Sequence, residues 1–115
     1  MKRLTLIRHG KSSWEYAALK DIDRPLNERG EYDVPLMAKV LSKNLPLPDL
    51  IISSPARRAK DTALGLAQGL NFKEEDIDFR HIIYEGDETD IQHEIQNLSD
   101  KVNHVLIIGH NPALF

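Results

Sequence analysis

Apolar positions along the chain alternate between short runs and helically spaced stripes. Leu4-Thr5-Leu6-Ile7 is a brief apolar-biased run ending in Arg8-His9-Gly10, which reads as a buried strand closing on a tight turn. Ser12 to Arg24 is polar and irregular, and Arg24-Pro25-Leu26-Asn27 reads as a loop closing on a helix cap. From Glu28 to Asn44, Val34, Met37, Ala38 and Leu41 recur at helical spacing. Pro35 sits inside that pattern and predicts a break near Tyr32, with Asp33 capping and Pro35 in the new first turn. Leu45-Pro46-Leu47-Pro48 ends the segment. Asp49–Ser53 is a second buried strand, and Pro55 opens a helix running to Leu70 with Ala59, Ala63, Leu66 and Ala67 as its packed stripe. Ile77–Tyr84 contains a third strand, and Asp87–Leu98 is a helix with apolar Ile91, Ile95 and Leu98. His104–Ile108 is the fourth strand, ending at Gly109-His110-Asn111-Pro112.

This alternation of strand and helix predicts an α/β fold, a three-layer sandwich with a mostly parallel central sheet and helices on both faces. The 115 residues suit one domain large enough to bury a core. Lys and Arg number 15 against 18 Asp and Glu, and the net charge of -3 argues against non-specific nucleic-acid binding while permitting one local basic pocket. Without cysteine there is no disulfide framework, thiol nucleophile or thiolate metal site. Met1-Lys2-Arg3 precedes too short an apolar run for a signal peptide, and no segment approaches the ~20 apolar residues of a membrane span. A cytoplasmic location is expected.

Chemistry collects at three strand ends: Arg8-His9-Gly10, Ser53-Ser54-Pro55-Ala56-Arg57-Arg58 and Gly109-His110-Asn111-Pro112. The carboxyl ends of parallel strands share one edge, where open α/β sheets build their ligand crevices. Two arginines and two histidines converging there make an oxyanion site, because the guanidinium fork donates paired hydrogen bonds to phosphate and stays charged. The helix opening at Pro55 adds backbone N–H groups and a positive dipole end.

Arg8-His9-Gly10, the Ser54-Pro55-x-x-Arg58-Ala59-x-x-Thr62-Ala63 run and Gly109-His110-Asn111 together resemble the histidine phosphatase superfamily, the phosphoglycerate-mutase-like group. With the short inserts, Asp23-Arg24-Pro25-Leu26 and Asn27-Glu28-Arg29-Gly30 more closely resemble its small phosphohistidine phosphatase branch. The resemblance implies that His9 is the nucleophile, transiently phosphorylated on a ring nitrogen. It must then be neutral, with one nitrogen free and the other held as N–H by an acceptor. Arg8 and Arg58 are implied to clamp the phosphoryl oxygens and His110 to complete the pocket as a further donor. Ser12 and Asn111 are softer candidates for phosphate or substrate contact. The resemblance implies no metal and no organic cofactor.

Larger relatives place a carboxylate over the leaving group, and Glu85, Asp87 and Glu88 are available for it here, with Glu85 the first choice. Imidazole leaving from phosphohistidine has a pKa of about 6.5 and needs far less protonation than an alkoxide. With Lys11–Arg24 as the main free loop near His9, the pocket is expected to be shallow and open. These points favour a phosphatase acting on a phosphohistidine-bearing protein through an enzyme phosphohistidine. The alternatives are a phosphomonoesterase acting on a small phosphorylated substrate, and a phosphate- or phosphoprotein-binding module without turnover.

The resemblance also implies a further helix and strand beyond Asn111-Pro112, so residues 1–115 are expected to form a single, C-terminally truncated domain. Loss of that helix would uncover the apolar face around Val105–Ile108, predicting reduced stability or self-association through the sheet.

Other polar residues have plainer readings. His81, His93 and His104 lack metal-ligand spacing and are expected at the surface or a strand edge. Glu74-Glu75-Asp76 reads as a solvated turn, and Arg57 as a rim or surface charge. Arg24 reads as outer positive charge, and Trp14 and Tyr16 either line the substrate mouth or pack under the loop.

Overall fold

A computed structural model of the protein describes residues 3–15 and 18–110. Its centre is a four-stranded sheet in the order β1-β4-β2-β3, from β1 (Arg3–Arg8), β2 (Leu50–Ser53), β3 (Asp78–Phe79) and β4 (His104–Gly109). All three ladders are parallel. On one face lie α1 (Glu28–Asn44) and α2 (Arg57–Gly69), packed on Ile7, Ile51, Leu106 and Ile108 through Val34, Ala38, Ala59, Ala63 and Leu66. The other face buries Ile52, Val105 and Ile107 against Ile83 of α3 (Ile82–Glu85) and Ile91 of α4 (Glu88–Gln96). The expected three layers are present, and the stripe Ala59, Ala63, Leu66 and Ala67 is fully buried.

Local chemistry explains most boundaries. The Asn27 side chain accepts the Gly30 N–H and caps α1, while Asp87 and Asp90 form a reciprocal capping box at α4. The predicted break at Pro35 does not occur: α1 runs unbroken with Pro35 inside it. Pro35 and Glu31, whose carbonyl loses its helical donor, both lie on the exposed side, so water can satisfy that carbonyl. Met37 is exposed rather than packed in the stripe. The third strand shrinks to two residues, and Ile82–Glu85 turns into α3. The second long helix begins at Arg57, because Pro55 and Ala56 complete a turn in which the Ser54 hydroxyl accepts the Ala56 N–H.

Two further expectations are corrected by the strand order. Lying between β1 and β2, β4 has both edges paired, and the helices cover both its faces, Leu106 and Ile108 on the α1–α2 side and Val105 and Ile107 on the α3–α4 side, so Val105–Ile108 offers no uncovered face for self-association. For the same reason His104 is a core residue, its ring nitrogens bonded to Thr5 Oγ1 and the Pro46 carbonyl, each at 2.8 Å. His81 and His93 are exposed, and Glu74–Asp76 forms a solvated turn.

Candidate active site

Register brings the strand ends together. Arg8 pairs with Gly109 and Ser53 with Ile108, so β1, β4 and β2 finish at one edge. The backbone continues the alignment: His9 N–H donates to Gly109 O at 3.2 Å and Ser54 N–H to Ile108 O at 3.0 Å. His9 and His110 therefore face each other, ring centroids 5.0 Å apart and planes tilted by 54°.

The turn at Gly10 is fixed from two sides. Its N–H donates to Thr62 Oγ1 at 3.0 Å, and that hydroxyl donates to the Arg58 carbonyl at 2.7 Å, joining the turn to α2. On the other side α1 comes in so closely that a Cβ on Gly30 would lie 2.3 Å from the Lys11 carbonyl oxygen.

His9 Nδ1 lies 2.6 Å from the Gly10 carbonyl oxygen. A carbonyl only accepts, so Nδ1 carries the proton and the neutral ring keeps its lone pair on Nε2. Burial lowers the His9 pKa, and Arg58, Arg8 and Arg24 push the same way against the Gly10 hydrogen bond. His9 is thus held neutral with its outer nitrogen available. His110 is pushed down to about 4, first by burial and then by Arg58. Its Nδ1 faces Arg58 Nη2 at 3.4 Å and must accept, so Nε2 carries the proton and donates to Ser54 Oγ at 2.7 Å.

Arg58 is buried on α2 and reaches the polar loop before α1. Nη1 donates to the Asp21 carbonyl at 2.7 Å and Nη2 to Asp21 Oδ2 at 2.9 Å. The same Oδ2 accepts the Tyr84 hydroxyl at 2.8 Å, and Oδ1 accepts Arg24 Nη2 at 3.3 Å. Asp21 is held at about 2, first by the Tyr84 hydrogen bond and then by Arg58, against the opposing effect of burial. Arg24 is also buried, stacks 3.7 Å from the Trp14 ring centroid and donates to Ser12 Oγ. The Nε atoms of Arg24 and Arg58 are buried with no hydrogen-bond partner among the described residues, leaving two strong donors unspent.

Arg8, His9, Ser12, exposed Trp14, Asn27 and Met37 border an open cavity of about 560 Å³. Arg8, His9, Arg58 and His110 thus come to one edge, as the sequence predicts. Ser12, on the same cavity, accepts from Arg24, and Arg57 is a surface partner of Asp61 at 3.6 Å. Glu85 is exposed on α3, while its neighbour Tyr84 turns to the site, edge-on to His110 at 5.4 Å. Asn111 and Tyr16 lie outside the described residues. Asp21, Tyr84 and Ser54 are site residues to which the sequence assigned no role. Ser54 and Thr62 lay inside the Ser-Pro-x-x-Arg-Ala-x-x-Thr run, whereas Asp21 and Tyr84 carried no signal.

The sequence profile of the histidine phosphatase superfamily (branch 1) matches residues 4–110. The chain belongs to this superfamily. An uncharacterized chloroplastic protein of Arabidopsis thaliana is 36% identical over 118 residues, covering 96% of this chain and 54% of its own length. A glucosyl-3-phosphoglycerate phosphatase of Mycobacterium tuberculosis is 38% identical over 69 residues, covering 58% of this chain and 30% of that protein. Among solved structures, the Agrobacterium tumefaciens protein assigned as the phosphohistidine phosphatase SixA superposes with a TM-score of 0.89 at 30% identity, covering 98% of this chain and 71% of that one. The protein histidine phosphatase SixA complexed with tungstate gives 0.86 at 26% identity, over 96% and 70%. The chain thus spans about half the length of the Arabidopsis relative and about seven-tenths of these SixA structures. Within the superfamily its fold is SixA-like. Among the described residues no group of three or more His, Asp or Glu is arranged to hold a metal ion. No described helix is long and apolar enough to cross a membrane.

Proposed function

We propose that this histidine phosphatase removes phosphate from phosphohistidine on a partner protein. His9 Nε2 would attack phosphorus as the substrate's ring nitrogen leaves with the P–N electron pair and takes a proton from solvent water. Water would then release phosphate from His9. Arg8 and Arg58 would stabilise the charge on the transferring oxygens. The observation that carries the choice of substrate is the state of the nearby carboxyl groups. Asp21 is held ionised beside Arg58, and Glu85 is exposed on α3. A substrate whose leaving group needs little protonation suits such a site, and imidazole is one. The open cavity rimmed by exposed Trp14 supports access for a residue on a protein surface.

A small phosphorylated metabolite is the second reading, favoured by the similarity to the glucosyl-3-phosphoglycerate phosphatase and by a cavity of about 560 Å³. Phosphate release measured on a phosphohistidine-bearing protein and on a general phosphate monoester, each beside a His9→Ala control, separates the two. Release from phosphohistidine, lost in the variant, is the expected result. Release from the ester alone supports the metabolite phosphatase, and oxyanion binding with no release from either supports a binding module.

A further inference from the structure

The carboxylate of Asp21 engages the arginines much as a phosphoryl group would. It bridges two guanidiniums, Arg58 through Oδ2 and Arg24 through Oδ1, and its own backbone carbonyl takes the second terminal nitrogen of Arg58. Both terminal nitrogens of Arg58 are therefore engaged by one residue. Among the described residues Arg58 Nε and one hydrogen of Nη1 remain free, but a phosphoryl group gripped by the terminal pair Nη1 and Nη2 competes with Asp21 for them.

What holds Asp21 there is charge and hydrogen bonding alone. It belongs to the short 3-10 turn Asp21–Asp23, which buries no side chain, and its own side chain is 52% exposed. Hydration of the carboxylate is half intact, so turning it out to solvent costs little desolvation or packing. An incoming dianion supplies the push, since like charges at this range repel.

We propose that Asp21 is a displaceable internal counter-ion of the arginine clamp, expelled from Arg58 when a phosphoryl group binds. It pairs the two buried guanidiniums of Arg24 and Arg58 and cancels one of their two positive charges, and it offsets part of the clamp's affinity for any oxyanion. Product phosphate is thereby held loosely enough to leave. The inference rests on the phosphatase reading of the site, but its test does not depend on turnover.

The test is a titration of orthovanadate into the whole chain and its Asp21→Asn variant, followed by the fluorescence of Trp14, the single tryptophan, stacked on Arg24. Asparagine keeps the size of the side chain and removes its charge. The variant should bind orthovanadate about tenfold more tightly, a figure for close like-charge repulsion discounted for half exposure. Unchanged or weaker binding by a folded Asp21→Asn variant, with the parent chain still binding, overturns the counter-ion role and leaves the phosphatase reading standing. Weaker binding is what a residue that merely positions Arg58 would give. No binding by either protein overturns both. Should Asp21→Asn not fold, Tyr84→Phe serves in its place. It removes one of the hydrogen bonds on Oδ2 without touching the charge, so it should tighten binding by a smaller factor, and unchanged or weaker binding then overturns the role.

Discussion

The Thr62 hydroxyl accepts the Gly10 N–H at 3.0 Å across a sequence separation of 52 residues, and this bond sets where the His9 turn stands on α2. Thr62 is buried, and its second bond, to the Arg58 carbonyl, orients the hydroxyl. Thr62→Val keeps the shape and removes both bonds. A donor left without a partner in the interior costs about 1–3 kcal/mol, which denaturant unfolding will read. Turnover should fall further than stability explains, because His9 then loses its reference to α2. A variant with lowered stability and full activity at low temperature would detach Gly10 from the catalytic geometry.

Gly30 is the second determinant of that turn. A Cβ there would lie 2.3 Å from the Lys11 carbonyl oxygen and 3.0 Å from its nitrogen, both backbone atoms that cannot yield alone. Gly30→Ala should therefore separate the start of α1 from the Gly10–Lys11 strand end. We expect a loss of roughly 1–3 kcal/mol, in the range for overpacking, together with weakened oxyanion binding. Thermal unfolding and an orthovanadate titration check the two halves separately.

Arg58→Lys tests whether charge or geometry matters at α2. An ammonium keeps the charge but cannot engage both the Asp21 carbonyl and its carboxylate while also facing His110. Turnover should drop by about 10²–10³, the scale for losing one transition-state donor, and approach that of Arg58→Ala. A lysine variant retaining most of the activity would mean that positive charge alone suffices.

Acid should weaken the fold in two separate windows. His110 titrates at about 4 in the folded protein against an ordinary 6.5, so between those values the unfolded chain binds a proton that the folded one refuses. Stability from this group is level above pH 6.5 and falls as the pH drops towards 4. Burial of His9 acts in the same direction. Asp21, at about 2 against 3.8, keeps its contribution above 3.8 and loses it only below. Urea midpoints followed across pH should show the first decline, and His110→Gln should lessen it. An identical slope in the variant would assign the decline to other groups. In the proposed mechanism His9 attacks as the neutral ring, so the acid limb of turnover should lie below the ordinary histidine value of 6.5.

Much of this architecture was legible in residue order. Helix α1 begins and ends where the Asn27 cap and the Leu45-Pro46 segment predict, since both are local signals. The meeting of His9, Arg58 and His110 was foreseeable because parallel strands ending at one edge force distant motifs together. What stayed hidden depends on neighbours remote in sequence. His104 is buried because β4 lies inside the sheet, which pattern along one strand cannot reveal. Pro35 remains helical because its side of α1 faces water. Asp21 lies in a polar stretch with Asp23 close by, and only the fold selects which carboxylate meets an arginine 37 positions away.

The strand order also dictates a history for each newly made molecule. Among the described residues β1 has a single neighbour, β4, so a strand made early waits for one made about a hundred residues later before it gains a partner. Contacts spanning about a hundred residues close slowly, because most of the chain must be ordered first. His9 therefore meets His110 only when that wait ends, and a chain on the ribosome that still lacks β4 carries His9 without the ring that faces it.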